Sequence, residues 1–138
     1  MLESSVVTFL KKHHLLSLCT CKDNVPHCAN CFYAFREEDA RFIIATDAKT
    51  RHGSEALLNH HVAGTVALET KMVGKIQGVQ FSGLYQKADE KDAKAYFKRF
   101  PYALAMLPEL WSIRIDTLKF TDNTLGFGSK LEFRRVEL

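Results

Sequence analysis

Between Leu110 and Phe120 the residues alternate, with Trp111, Ile113 and Ile115 on one side and Ser112, Arg114 and Asp116 on the other. Period two is the signature of a strand with one buried face. Other short apolar runs share this character and are separated by turn signals. Leu15–Lys22 and Cys28–Phe35 flank Asp23-Asn24-Val25-Pro26, and the charged loop Arg36–Asp39 leads to a third run, Arg41–Thr46. These three read as an antiparallel meander. Two further strands are expected over Val62–Glu69 and over Lys75–Lys87, the latter with glycines at 78 and 83 that mark a bulge or a close approach. A last short strand is expected over Leu131–Arg135.

Helices are expected over residues 4–14, 50–60 and 89–100. Ser4 or Ser5 can cap the first, whose buried stripe is Leu2, Val6, Phe9, Leu10 and His13. Thr46 or Asp47 can cap the second, with Ala56, Leu57 and Leu58 as its apolar side. Asp89 and Glu90 favour the start of the third, and Ala93, Tyr96, Phe97 and Phe100 form its stripe. Pro101 stops it, and 102–107 adds a short turn. Lys87, Lys91, Lys94, Lys98 and Arg99, among Asp89, Glu90 and Asp92, read as a solvated face. Six or seven short strands with helices over the ends suggest a small closed barrel.

The 138 residues suit one domain, 1–138, and contain no repeat or Pro/Gly-rich linker. Hydrophobic residues are 46% and charged residues 25%, which excludes a disordered chain. A net charge of +3 is too weak to argue for nucleic acid, and aromatics interleaved with basic residues on one strand face are absent. No apolar run reaches the roughly 18 residues of a membrane span. The first residues, with Glu3 and two serines, lack a basic-then-apolar leader, so a cytoplasmic protein with reduced thiols is expected.

The cysteines stand at 19, 21, 28 and 31. If Cys21 pairs with Cys28 across the turn, Cys19, Cys21 and Cys28 share a face and Cys31 points to the other. Four thiolates then fail to converge on zinc. Buried structural thiols are the expectation, with redox-active thiols the alternative. The histidines include two adjacent pairs, 13–14 and 60–61, whose members diverge and chelate poorly together. No metal site is expected.

Thr46-Asp47-Ala48-Lys49-Thr50-Arg51-His52 is the most informative segment, because it follows a strand and opens a helix. Unpaired amides at a helix start attract anions. Thr46 and Thr50 add hydroxyls, Arg51 can grip a phosphate with parallel N–H groups, and Lys49 and His52 add charge or a donor. This is a cradle for a phosphomonoester, and no Gly-rich dinucleotide turn accompanies it.

The pieces CANCFYAF, KTRH, VAGTV, IQGVQFSG, KRFP and KFTDNTLGFG, in this order over nearly the whole chain, resemble the FMN-binding split barrels of the pyridoxamine 5'-phosphate oxidase-like superfamily, and within it the small bacterial YhbP-like branch. The resemblance implies a mainly β fold: a six-stranded antiparallel Greek-key split barrel with two or three helices. It also implies a homodimer with two FMN molecules in clefts between protomers. By the same resemblance Thr46, Thr50, Arg51 and His52 grip the flavin phosphate. His52 replaces the superfamily's usual lysine, and Lys49, one turn away, can compensate its charge. Asn30 on the second strand and Gln77 or Gln80 on the long strand would lie beside the ring. Trp111 and Arg114 would come from the partner subunit. The basic residues with which the oxidase binds pyridoxamine phosphate are not evident near the C-terminus, so that reaction is not expected.

The expected function is therefore FMN binding, with flavin-dependent oxidoreduction of an unknown small molecule. The alternative is a non-catalytic flavin or haem module on the same barrel, with His13, His14, His60 or His61 as an axial ligand.

Overall fold

The computed structural model describes residues 2–136, so Met1 and the last two residues of the expected 1–138 unit lie outside the described residues. The fold grows from one tight hairpin. Strand β1 (Leu15–Lys22) and strand β2 (Val25–Arg36) are joined by Asp23 and Asn24, both at positive φ (52° and 63°). Two such residues define the turn that matches strand twist, and Asp and Asn tolerate it best among side-chain-bearing residues. The register starts at Lys22↔Val25, so Cys19 pairs with Cys28 and Cys21 with Pro26. The expected Cys21–Cys28 pairing is thus corrected. The shift is one residue on each strand, so side-chain parity survives, and Cys19, Cys21 and Cys28 do share a face opposite to Cys31.

Strand β3 (Arg41–Ala45) pairs with β2, β4 (His61–Ala67) pairs with β1, and β5 (Gln77–Lys87) pairs with β4. Strand β6 (Leu110–Asp122) pairs with β5 along one edge and with β3 at Arg41↔Arg114 to Ala45↔Leu110 along the other. That pairing closes a six-stranded antiparallel barrel in the order β3-β2-β1-β4-β5-β6. Strand β7 (Lys130–Arg134) is an extra strand on β6, over Thr117–Thr121.

One edge of β6 therefore serves two partners, and the hand-over coincides with a bulge. The β5 register shifts between Ser82 and Gly83, so that Ser82 faces Thr117 and Gly83 faces Ile115. Asp116 is the extra residue. A side chain on Gly83 would lie 2.3 Å from the carbonyl oxygen of Arg114, so this position requires glycine. The alternation expected for 110–120 changes phase here: Ile113 and Ile115 point inward, then Leu118 and Phe120. Arg135 fills the gap between β3 and β7. Its Nη2 donates to the carbonyls of Asp39 (2.6 Å) and Ala40 (3.1 Å), and its Nε donates to that of Ile115 (2.8 Å).

The barrel interior holds Leu16, Leu18, Tyr33, Phe42, Ile44, Val79, Phe81, Ile113 and Phe120. Helix α1 (Ser4–Lys12) plugs one end with Val6, Phe9 and Leu10, and Tyr33 donates its hydroxyl to the Leu10 carbonyl at 2.6 Å. Its N-cap is Glu3, without a side-chain bond, rather than Ser4 or Ser5, because Ser4 already has helical geometry. The helix stops at Lys12, where His13 turns extended and Arg99 donates to the carbonyls of Lys11 and His13.

Helix α2 (Arg51–Leu58) plugs the opposite end, where β1 and β3 finish. Its buried side is Gly53, Glu55 and Ala56; of the expected apolar side Ala56 is buried, while Leu57 and Leu58 are exposed. Helix α3 (Glu90–Arg99) lies outside, over β2 and β3, where Tyr96 packs on Ala34 and Ile43. Asp89 and Asp92 form its capping box. Asp92 is 0% exposed and paired with Arg36, so it does not belong to a solvated face. Among the described residues, no helix is long and apolar enough to cross a membrane.

Candidate functional site

The end of β3 delivers Thr46 to the rim of the barrel, beside the start of α2. Thr50, not Thr46 or Asp47, caps that helix, accepting from the Gly53 amide at 3.1 Å. Its hydroxyl donates back to the Asp47 carbonyl (2.7 Å), and Asp47 Oδ1 accepts from the Lys49 amide (2.8 Å). The loop is folded this tightly because residue 53 is glycine. A side chain there would meet the Asp47 carbonyl oxygen at 2.5 Å and the Thr50 hydroxyl at 2.8 Å. Sequence reading passed over Gly53, although a glycine three residues past a threonine cap was its visible signal.

With the Gly53 amide already taken, the first-turn amides of Arg51 and His52 are those without a partner among the described residues. Arg51 Nε donates to Glu55 Oε2 at 3.0 Å, and the terminal guanidinium groups take no partner among the described residues. Glu55 is buried, and its other oxygen accepts from Thr20 of β1 at 2.9 Å. The hydrogen bonds from Arg51 first, and then Thr20, hold the Glu55 carboxyl below the usual range. The four-residue spacing from Arg51 to Glu55 was the signal that could have found this anchor.

His52 behaves differently from the expected cation. Its Nε2 lies 2.9 Å from Thr46 Oγ1, and burial, with His27 nearby, lowers its pKa below the ordinary imidazole value. Thr46 is itself buried. The anion donors that remain are therefore Lys49, Arg51 and the two amides. That set matches one phosphomonoester.

The other expected residues fall on different surfaces. Asn30, on the outer face of β2, heads a row of register partners running Asn30–Ser17–Thr65–Gln80 across four strands. Three residues past the paired part of β2 and β3, the same register brings Asn30 level with Asp47. The Ser17 hydroxyl donates to Asn30 Oδ1 at 3.0 Å, which leaves the Asn30 amide nitrogen to face outward. Gln80 borders a groove of about 500 Å³ with Ser82, Lys119 and Arg134. Gln77 is on the other face, where its amide donates to the buried Asp122 carboxylate at 3.2 Å. The structure thus separates the two glutamines and aligns Gln80 with Asn30.

Trp111 stands beside Thr46 within the same chain. Its indole Nε1 donates to the Thr46 carbonyl at 3.2 Å, and its ring stacks on Tyr85 at 5.1 Å. Arg114 lies further along β6, opposite Arg41 and paired with Asp116 at 3.2 Å, away from the cradle. The histidine pairs are at opposite ends of the barrel. His13 and His14 follow α1, whereas His60 and His61 follow α2. The cysteines are not uniformly buried: Cys31 is, but Cys28 is exposed and Cys19 and Cys21 are half-buried.

The geometry defines a closed β-barrel with Lys49, Arg51 and two unpaired amides at one rim, and the comparisons give it a family. The family model described as "Pyridoxamine 5'-phosphate oxidase" matches residues 2–120, and the chain belongs to that family. The UPF0306 protein YhbP of Salmonella arizonae is 40% identical over 136 residues, covering 96% of this chain and 92% of that one. Among solved structures, a haem-binding protein from Mycobacterium smegmatis superposes with a TM-score of 0.76 at 10% identity, over 97% of this chain and 59% of that one. A FAD-binding protein from Mesorhizobium loti gives 0.68 at 16% identity, over 85% and 92%. The fold is common to proteins described as flavin-binding and as haem-binding.

Proposed function

We propose that the protein binds FMN and acts, as a homodimer in the cytoplasm, as a flavin-dependent oxidoreductase on a small molecule. The observation that carries this reading is the convergence of Lys49, Arg51 and the unpaired amides of Arg51 and His52 on one rim, level with the outer-face row that Asn30 begins. Lys49 and Arg51 bind the phosphate, and Glu55 fixes the guanidinium. Asn30 and Gln80 offer amide donors along the ring without titrating. Bound flavin supplies hydride transfer at its N5. Trp111, hydrogen-bonded to Thr46, covers the rim from its own chain. A homodimer is supported by the apolar side chains that stand exposed, among them Phe32, Tyr102, Met106 and Leu107.

Titration of the purified protein with FMN, FAD and haemin, followed by flavin fluorescence and haem absorbance, tests the reading. FMN should bind, and Arg51→Ala should weaken it. If only haemin binds, the haem-module alternative replaces it. If Arg51→Ala binds FMN like wild type, the cradle is misplaced. Light scattering of the eluting protein checks the dimer.

A further inference from the structure

Cys19 and Cys28 face each other across the β1–β2 hairpin, with their sulfurs 3.0 Å apart. Two-residue turns make the flanking pair, here Lys22↔Val25, a hydrogen-bonded one. Counting down the register makes Cys21↔Pro26 and Cys19↔Cys28 non-hydrogen-bonded pairs, which is also where Pro26, lacking an N–H, costs the ladder nothing. Cα atoms of such pairs are about 4.5 Å apart, inside the roughly 4.4–6.8 Å span of disulfides. The two sulfurs need only approach from 3.0 Å to about 2.05 Å, with no change of register.

We propose that Cys19 and Cys28 form a reversible cross-strand disulfide when the protein meets a low-molecular-weight disulfide such as oxidised glutathione. The inference does not depend on flavin binding.

Cys28 is the exposed member and attacks first. Burial, and then the hydrogen bond with Cys28, push the Cys19 thiol up to about 11, so Cys19 keeps its proton while Cys28 reacts. The Cys28 sulfur displaces one thiol from the oxidant and forms a mixed disulfide. Cys19 then attacks the Cys28 sulfur and displaces the second thiol. One small disulfide is reduced to two thiols, two cysteine thiols are oxidised to one disulfide, and both protons leave on the released thiols.

The surroundings select this pair. Cys21 has Pro26 opposite it, and Cys31 is buried behind the sheet against Thr46. On its other side Cys19 is flanked by Ala63 and then Ser82, small residues that leave the sulfurs accessible. The exposed Cys28 sulfur leaves the disulfide open to attack by small thiols, which reopens it by the reverse exchange.

The test uses the full-length protein, exposed to oxidised glutathione, quenched with N-ethylmaleimide and digested with trypsin. Cleavage after Lys12, Lys22 and Arg36 puts Cys19 and Cys21 in one peptide and Cys28 and Cys31 in the other. The expected product is the two peptides joined through Cys19 and Cys28, with alkylation lost at those two positions and restored by dithiothreitol. Cys21→Ser should give the same link, and Cys19→Ser should stop at the mixed disulfide on Cys28. The same treatment in urea should scramble the links, showing that the fold selects the pair. A link through Cys21 or Cys31 in the native wild type, or full alkylation of Cys28 after oxidant, would overturn the proposal without recourse to any variant.

Discussion

Arg51 reaches the barrel wall through Glu55: its Nε donates to Glu55 Oε2 at 3.0 Å, and Oε1 of the same carboxylate accepts the Thr20 hydroxyl at 2.9 Å. The cation is thereby held at the rim with its terminal amino groups without a partner among the described residues. Arg51→Ala removes a charge-assisted contact of about 1.5–3 kcal/mol, so the Kd for FMN should rise roughly 10–150-fold. Flavin fluorescence titration measures this. The melting temperature should also fall, because the buried Glu55 carboxylate loses the partner that lowers it most, so the affinity is compared at temperatures where both proteins are folded.

His52 is lowered by burial and by His27, so it is neutral in the fold at neutral pH and gains a proton only below the ordinary imidazole range. Relative to His52→Lys, wild-type FMN affinity should therefore be constant around pH 7–8 and gain only in acid, a comparison in which the phosphate's own second ionisation at about pH 6 cancels. His52→Lys should bind FMN more tightly at neutral pH and lose the acid rise, although it forfeits the Thr46 bond. Titrations across pH for both proteins decide between this and a cradle indifferent to residue 52.

Glu55 contributes stability through its ionised form. Its carboxyl is depressed in the fold, so the contribution is complete above the unfolded carboxylate pKa and is lost as pH falls through the folded one. Glu55→Gln keeps the shape and removes that proton linkage. Its unfolding free energy should fall less steeply with acidification than that of wild type, as denaturant titrations from neutral pH down to about pH 3 would show.

Arg135 satisfies three carbonyls at the seam where β3 leaves β6 and β7 takes over. Arg135→Ala should cost about 1.5–3 kcal/mol and lower the melting temperature by roughly 5–10 °C. Arg135→Lys should recover only part of this, because an ammonium cannot span the three acceptors as a planar fork does. Calorimetry reads both.

What the sequence displayed well were the periodic elements. The meander, the long strand, the alternation around Trp111 and the helix start after Thr46 all follow from patterns a few residues long. The misreadings have a common cause, because they depend on what lies across space. Capping passed to Thr50 since Gly53 lets the loop fold back on the Asp47 carbonyl. Asp92, on helix α3, is buried because Arg36 comes to meet it from strand β2. Leu57 and Leu58 are exposed because Glu55, answering Thr20 and Arg51, takes the inward side of α2. At the candidate site the cluster of Lys49, Arg51 and free amides was visible as a basic run between a strand and a helix. The sorting of Gln77 from Gln80, and the hydrogen bond from Trp111 to Thr46 of the same chain, required the register.

The β3–β6 pairing that completes the barrel joins residues about seventy positions apart in the chain, Arg41 with Arg114 at one end and Ala45 with Leu110 at the other. On a ribosome the β1–β3 meander is finished long before its last partner exists. Until then the outer edge of Phe42, Ile43 and Ile44 is an open hydrophobic strand, the kind of edge that recruits neighbours. Folding of this barrel is accordingly a late, long-range event, slow relative to its local hairpins, and the nascent chain is most exposed to aggregation in the interval before β6 arrives.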